Sequence, residues 1–338
     1  MTSQDRTTQQ RSTSAESKRQ ATRSPFVEDL YWLSTVVMIR IAGWIPWWKA
    51  RQVIANRAGW LGYLVLPVWR ERIAANLAMA YDKQPSPQET DRIVREYFRE
   101  YWREALSLLP TAGDRALLRQ ARIEGWEHLE QALQKGRGAI LWEASLFGSR
   151  NVSKLILRQK DIPVHQVHAA NHLGWTGIDL GSGTWLRRRV VVPTLRRWMA
   201  SLVESIIWLP ETESLAFARV LLQLLKHNGV VCSSADGSQG ERLASAEFLG
   251  RRRPFATGMA SLARVSGAPL LPLFCIQDPE GMPTLIIGPP ITVDASANRQ
   301  GALQSCVEQW VTLLESHVRS HPGKYRGWYT LYDHEQVQ

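Results

Sequence analysis

Residues 135–151 read KGRGAILWEASLFGSRN, and the interpretation of the whole chain starts from this stretch. Two glycines end a helix, and the apolar run 139–142 that follows has the length of a buried strand. A turn comes next, and a new helix is predicted to begin near Phe147 or Gly148. Because α/β proteins place their chemistry at the carboxyl ends of strands, this turn is the first place to search for a site.

The composition is that of a globular chain. It has 338 residues, of which 44% are hydrophobic and 21% charged, enough for one large domain or two small ones. The net charge of +10 predicts an acidic partner: nucleic acid, an anionic membrane surface or an acidic carrier protein. The 15 Trp residues favour the membrane, because Trp prefers the membrane–water interface. Nucleic acid is not expected, since no nucleic-acid motif is present and the aromatic residues cluster with aliphatic ones.

The cysteines Cys232, Cys275 and Cys306 show neither metal-ligand spacing nor a disulfide framework. They are predicted to be reduced and mostly buried, which fits a cytosolic compartment. No metal and no redox cofactor is expected.

The N-terminal part is predicted to be a polar, disordered basic tail (residues 1–25) followed by a helical region (residues 26–120). The tail has no apolar segment of the kind found in signal peptides. Residues 30–48 are the most apolar, but Arg40 lies in their middle and Pro46 near their end. A central Arg costs roughly 2.5–3.5 kcal/mol on insertion scales. A helix lying in the membrane interface is therefore predicted, and a soluble helical hairpin is the alternative.

Before the main domain, residues 70–81 form an amphipathic pattern, and a capping box at Ser86 opens a helix to about residue 109. The alternating charges of that helix indicate a solvated face. From residue 121 to 332 helices and strands alternate. The predicted strands are 139–142, 164–168, 206–209, 230–234, 270–276 and 284–287. The predicted helices are 126–134, 149–159, 195–203, 215–227, 257–265 and 300–321.

This alternation predicts an α/β fold: a mainly parallel central sheet with helices on both faces, preceded by a helical, membrane-associating N-terminal region. The first strand is not followed by G-x-G-x-x-G or by a P-loop, so nucleotide binding has no support.

Five local patterns follow in one order: GAILWEASLFGSR, an Arg run at 187–189, a helix and strand that end in Asp236-Gly237, FLGRRRPF with a later G-A-P, and HPGKYRGWYTLYD. The series resembles the bacterial lipid A late acyltransferases, within the lysophospholipid acyltransferase superfamily. The resemblance covers roughly residues 28–330. It implies transfer of a fatty acyl group from a thioester, of acyl carrier protein or coenzyme A, to a hydroxyl or amine of an anionic lipid or glycolipid. It also implies a peripheral or monotopic protein at the cytoplasmic face of the bacterial inner membrane.

The chain departs from that family at its catalytic dyad. The family has a His followed five residues later by Asp or Glu; the His acts as general base on the acceptor hydroxyl, and the carboxylate orients its ring. Here Leu146 takes the place of the His and Asn151 that of the carboxylate. None of the 8 His residues begins an H-x4-D/E motif.

Glu143 and Ser145 are the candidates for a replacement within the turn. Glu143, flanked by Trp142 and Leu146, is predicted either to act as a base with a raised pKa or to accept hydrogen bonds from the following helix. Ser145 is either a nucleophile or a helix cap, and no G-x-S-x-G elbow surrounds it.

Other candidate residues lie further along the chain. A remote His, His168 or His172, either enters the site or belongs to an exposed loop. Asp236-Gly237 either shapes the acceptor site, as in the superfamily, or forms a simple turn. Arg219 either binds a phosphate or lies on a solvated helix face.

The turn itself supplies the remaining candidates. The amides of Phe147 and Gly148 are possible oxyanion donors, and Arg150 is a candidate for substrate binding.

The Arg runs 187–189 and 251–253 are predicted either to bind lipid head groups or an acidic carrier, or to be solvated loops. Because the dyad is absent, the alternative function is a catalytically inactive lipid- or acyl-binding protein of the same fold. A Ser hydrolase using Ser145 lacks both an elbow and an identified His.

Overall fold

The computed structural model describes residues 25–81, 83–169, 184–209, 215–237, 242–294 and 298–331. The predicted tail at residues 1–24 and His172 lie outside the described residues, and what was expected of them stays a prediction.

The N-terminal region is helical, as predicted. Its described helices are α1 (Pro25–Ala42), α2 (Trp48–Val65), α3 (Pro67–Ala80), α4 (Pro87–Ser107) and α5 (Ala112–Leu118). The apolar stretch 30–48 is not one helix, because α1 ends at Ala42 and α2 begins just after Pro46. Proline restricts the residue before it and has no N–H to donate, which separates the two helices. Among the described residues, no helix is both long and apolar enough to cross a membrane.

Helix α4 begins at the predicted cap, where Ser86 Oγ accepts a hydrogen bond from the Glu89 N–H at 3.2 Å. Its charges, however, do not all form a solvated face: Glu100, Arg103 and Glu104 are buried. That expectation was wrong for these three residues because the C-terminal half of α4 is covered by α2 and the α/β domain, while Arg92 and Arg95 in the first half are exposed. The buried charges are paired, with Arg103 Nη1 3.0 Å from Glu100 Oε1.

Within the described residues, the central sheet contains seven strands in the order β1-β9-β8-β2-β5-β3-β4. They are β1 (Arg122–Glu124), β2 (Ala139–Glu143), β3 (Val164–Ala169), β4 (Ser205–Leu209), β5 (Val230–Ser234), β8 (Leu270–Gln277) and β9 (Pro283–Ile287). Every pairing is parallel except that of β8 with β9. Strand β2 is fully buried between β5 and β8, so the turn after it lies at the centre of the carboxyl edge.

Helices cover both faces of this sheet, which confirms the predicted fold. They are α6 (Trp126–Gln134), α7 (Arg150–Gln159), α8 (Val192–Ala200), α9 (Leu215–Lys226), α10 (Gly258–Ser266) and α11 (Arg299–Ser320). Alternate residues of β2 enter different cores: Trp142 packs with the α9–α11 side, and Leu141 with the α6–α8 side. A π-helical turn (Arg187–Val191) leads into α8.

The sequence did not predict the hairpin of β6 (Leu243–Phe248) and β7 (Arg251–Ala256). Its two-residue turn places Leu249 and Gly250 at φ values of 53° and 74°. A two-residue hairpin turn with positive φ at both positions usually has Asn or Gly at the first position. Leu249 occupies that position here, so the usual sequence pattern of a hairpin is missing. The Arg run 251–253 therefore belongs to a strand, not to the expected loop.

Candidate active site

The turn after β2 is tied to the end of β5 by Asp236. The N–H and Oγ of Ser145 donate to Asp236 Oδ1 at 2.9 and 2.6 Å, and the Leu146 N–H donates to Oδ2 at 2.8 Å. The two strands pair in parallel with Glu143 opposite Ser234, so their carboxyl ends meet. The structure thus brings together Ser145 and Asp236, which the sequence had singled out separately.

Arg326 holds the opposite side of the same turn. Its Nη2 donates to the Ser145 carbonyl at 2.9 Å and its Nη1 to the Gly148 carbonyl at 2.5 Å. Its backbone N–H also donates to the Leu146 carbonyl at 2.6 Å. Sequence reasoning missed Arg326, although it lies in the C-terminal motif HPGKYRGWYTLYD. Asp236 therefore binds donors of the turn, and Arg326 binds its acceptors.

Phe147 and Gly148 differ in what their amides can do. The Gly148 N–H donates to the Lys324 carbonyl at 2.9 Å, so the expectation that it is an oxyanion donor was wrong. Gly148 has φ +63°, and a Cβ there would collide with the Cys275 carbonyl oxygen. Phe147 pairs with Tyr325 in an antiparallel bridge, and its ring is buried beside Phe274. Within the described part of the chain, the Phe147 N–H has no acceptor.

The place of the family's His is apolar. Leu146 is half-buried and packs against the core formed by Trp142 and its neighbours. Asn151, at the place of the second dyad residue, is buried, and its Nδ2 donates to the Glu104 carbonyl at 3.2 Å. Neither side chain can remove a proton from an acceptor.

Glu104 is a buried carboxylate that the sequence did not single out. Its Oε1 and Oε2 accept from the Asn151 N–H at 3.1 and 3.4 Å, at the N-terminus of α7. A carboxylate is favoured there by the free amides and the helix dipole. Burial raises the pKa of Glu104, and the nearby Arg326, Arg150 and Lys154 oppose that rise. Glu104 was visible in the sequence as one of the alternating charges of α4. Which of those charges face the interior is decided by the packing of α4 and could not be inferred from the sequence.

Glu143 points away from the turn and under α7. It is buried, with Arg150 Nε 3.0 Å from Oε1, Gln166 Nε2 2.9 Å from Oε1, and Lys154 paired with Oε2. Alternate strand residues face opposite sides, so Glu143 follows Leu141 toward α7, where residues four apart share one face. Both interpretations of Glu143 need correction. It was expected to be a base among apolar side chains, but two cations flank it. It was otherwise expected to accept hydrogen bonds from the amides of the following helix, but its partners are side chains.

Arg150 and His168 belong to this buried network rather than to the turn. Arg150 is buried, and its Nη2 lies 3.1 Å from His168 Nε2. The pKa of His168 lies well below its usual value because of burial first, and then because of Arg150 and Lys154. The guanidinium donates, so Nε2 carries no proton in this arrangement. The interpretation of His168 as part of an exposed loop was wrong.

The other candidates are further from the turn. Arg219 is exposed on α9, and its role in phosphate binding stays a prediction. Gly237 is half-buried, its carbonyl accepts from the Ala256 N–H at 2.9 Å, and a Cβ there would meet nothing within 4 Å. Among the described residues, no group of three or more His, Cys, Asp and Glu side chains is placed to hold a metal ion.

The two Arg runs are divided between the interior and the surface. Arg187 is buried, with its Nε 2.7 Å from Asp29 Oδ1. It is therefore neither available to bind a lipid head group or an acidic carrier nor part of a solvated loop. Arg188 and Arg189 are exposed. In the second run, the first two residues (251 and 252) are exposed and the third bonds to the C-terminal backbone.

A mainly parallel sheet, with a firmly held turn at the centre of its carboxyl edge, defines the class: an α/β protein whose site is built at strand ends. The sequence model of the bacterial lipid A biosynthesis acyltransferase family matches residues 18–163 and 209–328. The chain belongs to this family, which confirms the resemblance.

Two relatives with the same name are similar to this chain. The phosphatidylinositol mannoside acyltransferase of Mycobacterium tuberculosis (strain CDC 1551 / Oshkosh) is 27% identical over 247 residues, 65% of this chain and 71% of that protein. The protein of the same name from Mycolicibacterium smegmatis is 28% identical over 217 residues, 62% of this chain and 64% of that protein.

Proposed function

We propose that this protein transfers a fatty acyl group from an acyl thioester, of acyl carrier protein or coenzyme A, to a hydroxyl or amine of a glycolipid or lipid acceptor. The family and the names of the relatives support the reaction class and a glycolipid acceptor. The observation that carries the proposal is the contact of Asp236 with Ser145 and Leu146: a half-buried carboxylate is hydrogen-bonded to the backbone of the residue that takes the place of the missing His.

Asp236 is the proposed base. A carboxylate offers about four lone-pair positions. Three donors, all from Ser145 and Leu146, bind to the Asp236 carboxylate here. One lone-pair position therefore remains for the O–H or N–H of the acyl acceptor. The acceptor atom attacks the thioester carbonyl as its proton passes to Asp236. The carbon–sulfur bond then breaks, and the departing thiolate takes up the proton.

The Phe147 N–H is the proposed oxyanion donor. In the bridge between Phe147 and Tyr325, the hydrogen bonds are made by the neighbouring residues of both segments. The Phe147 N–H therefore points away from the C-terminal segment. A backbone donor held rigidly by Arg326 and Gly148 needs no reorganisation when negative charge develops on the carbonyl oxygen.

The protein is further proposed to act at a membrane surface, the cytoplasmic face of the inner membrane. Of the 17 exposed large hydrophobic side chains in the described residues, 12 lie between residues 30 and 79. They include Trp44, Trp47 and Trp60, which are 73%, 74% and 53% exposed. Such a concentration is typical of membrane interaction sites. The free thiols Cys232 and Cys275 fit a reducing compartment.

Flotation with anionic vesicles tests the membrane proposal. The double variant Trp60→Gln with Leu64→Gln is expected to lose most of its vesicle binding, because it removes apolar area that would enter the interface. The matched control is Trp185→Gln, an exposed Trp outside the N-terminal region. Equal flotation of both variants would overturn the proposed surface.

A second candidate function is lipid or acyl binding without catalysis. Leu146 favours it, because an apolar side chain packed on the core stands where the family's base belongs. In that case the turn and Asp236 only shape a binding site.

The discriminating experiment is mass spectrometry of lipid products. Purified protein is incubated with acyl-carrier and coenzyme A thioesters and a panel of glycolipid and phospholipid acceptors, as wild type, Asp236→Asn and Asp278→Asn. Asp278 also holds a turn, since its Oδ1 accepts from the Met282 N–H at 2.8 Å, and so it is the matched control. Loss of about 10²–10⁴-fold is expected in Asp236→Asn alone.

The other outcomes are equally informative. An undiminished rate in folded Asp236→Asn would overturn the role of Asp236. No product from the wild type across the panel, with lipid still copurifying, would favour the binding protein.

A further inference from the structure

A second concave site lies far along the chain from the turn, at the junction of α1 and α2. It is a cavity of about 640 Å³, within the range of small-molecule sites. Its lining is mainly apolar and comes from three segments. The lining residues are Pro46, Trp47, Trp48, Lys49, Ala50, Gly113, Ala116, Leu117, Gln120 and Met282. None of them belongs to the turn after β2 or to the end of β5.

The shape of the cavity follows from close packing at its base. Gly113, in α5, lies so near the connection before α2 that a Cβ there would collide with the Pro46 carbonyl oxygen. Leu117 is buried and forms part of the floor. Trp47 is 74% exposed, so one wall is open to the surroundings. An apolar hollow that opens beside exposed Trp side chains suits a hydrocarbon chain entering from an interface.

The rim of the cavity is basic. Lys49 lines it and is exposed, and it is the charged residue among those that line the cavity. Asp114, on the helix that provides Ala116, is already paired, since its Oδ2 lies 2.7 Å from Arg51 Nη1. Asp278 and Glu280 are the exposed acidic residues of the loop that carries Met282, and neither of them lines the cavity. An anionic head group is therefore favoured over a neutral or cationic one.

We propose that this cavity is a binding site for one anionic amphiphile, with its acyl chain between Trp48 and Ala116 and its head group at Lys49. The site is separate from the acyl-transfer site, and the inference does not depend on that reaction. The same chemistry is offered by a lysophospholipid with a phosphate head group and by a free fatty acid with a carboxylate.

Equilibrium binding to the full-length protein tests the proposal. The probes are radiolabelled palmitate, palmitoyl-lysophosphatidylglycerol and, as a neutral amphiphile, monopalmitoylglycerol, each below its micelle concentration. We expect one anionic amphiphile bound per chain and weaker binding of the neutral one. Comparison of palmitate with the lysophospholipid distinguishes the two sources of the anion.

Two variants fill or alter the cavity. Ala116→Trp fills it from the exposed side of α5, and Met282→Asp places a charge on the opposite wall; each is expected to weaken anionic binding at least tenfold. Lys49→Glu is expected to weaken binding of the anionic probes and to leave that of monopalmitoylglycerol unchanged. Val265→Trp and Lys226→Glu, both at exposed positions elsewhere, are the matched controls. Thermal melting verifies that each variant is folded.

Wild-type binding in folded Ala116→Trp and Met282→Asp would overturn the site. Equal affinity for the neutral probe, with no effect of Lys49→Glu, would overturn the anionic head group. Binding that is lost in Asp236→Asn and kept in Ala116→Trp would assign the amphiphile to the turn after β2 and also overturn the inference. Loss of acyl transfer without loss of amphiphile binding would concern only the proposed function.

Discussion

Ser145 Oγ lies 2.6 Å from Asp236 Oδ1, although 91 residues separate the two along the chain. The contact exists because β2 and β5 are parallel neighbours whose carboxyl ends meet at one edge of the sheet. The Ser145 N–H donates to the same oxygen at 2.9 Å, so the pair remains connected through the backbone even without the hydroxyl. Because of this double contact, a substitution can remove the hydroxyl of Ser145 while the hydrogen bond from its backbone N–H to Asp236 remains.

Ser145→Ala tests whether the hydroxyl is a nucleophile. It removes one hydrogen bond and leaves both amide contacts with Asp236, so we expect a loss of about 1 kcal/mol in the free energy of unfolding. If Asp236 acts as base, acyl transfer falls by less than about tenfold. Product formation and the mass of the intact protein after incubation with thioester are the measurements. An acylated Ser145 in the wild type, with transfer abolished in Ser145→Ala, would contradict the proposed mechanism.

Glu143→Gln tests whether Glu143 is structural. The substitution leaves Arg150 and Lys154 buried with too little negative charge, so we expect a loss of about 3–5 kcal/mol in the free energy of unfolding. Urea unfolding is the measurement. The double variant Glu143→Gln with Lys154→Met removes one of the unpaired cations and is expected to recover much of this loss.

The same double variant separates stability from chemistry. Because Glu143 faces the interior beneath α7, acyl transfer is expected to return with the fold. A stable double variant without activity would instead support Glu143 as the base.

Gly148→Ala tests the backbone geometry of the turn. A side chain at φ +63° is strained and would also meet the Cys275 carbonyl, so we expect a loss of more than about 3 kcal/mol in the free energy of unfolding. Gly136→Ala is the matched control, because Gly136 has φ +68° and open space around its Cβ position. Strain alone gives about 1–2 kcal/mol there. Equal losses in the two variants would show that the Cys275 contact has no effect.

The pH dependence of stability tests the network around His168. The pKa of His168 is well below its usual value in the folded chain because of burial, Arg150 and Lys154. As pH falls below about 6.5, the unfolded chain binds a proton on this residue and the folded chain does not. The unfolded state then holds more protons, so the free energy of unfolding decreases with falling pH.

His168→Gln is expected to flatten the melting temperature between pH 7 and pH 5, because the titrating group is gone. Differential scanning calorimetry at several pH values is the measurement. The matched control His227→Gln, at an exposed position just after α9, should keep the wild-type slope. An unchanged slope in His168→Gln would mean that other groups, such as His317 with its lowered pKa, dominate the acid response.

Local patterns were sufficient for most of the α/β domain. The strand Val230–Ser234 and the helix Trp126–Gln134 have the predicted bounds, because apolar runs and flanking glycines act within a few residues. The same patterns did not identify the hairpin at Leu249, where a buried Leu adopts a conformation that its type rarely takes. Pairing with β7 and burial in the core stabilise that conformation, and neither is visible in local sequence.

The sequence by itself determined the class of fold, the family resemblance and the absence of the His-x4-Asp/Glu dyad, because these depend on residue types and their order. Only the tertiary structure decided the roles of the charged residues. Glu143 and Arg150 are adjacent to the turn in sequence and yet lie beneath it, because the strand pleat directs Glu143 toward α7. Asp236 and Arg326 are remote in sequence and yet hold that turn, because parallel strand pairing and the docked C-terminal segment bring them to it.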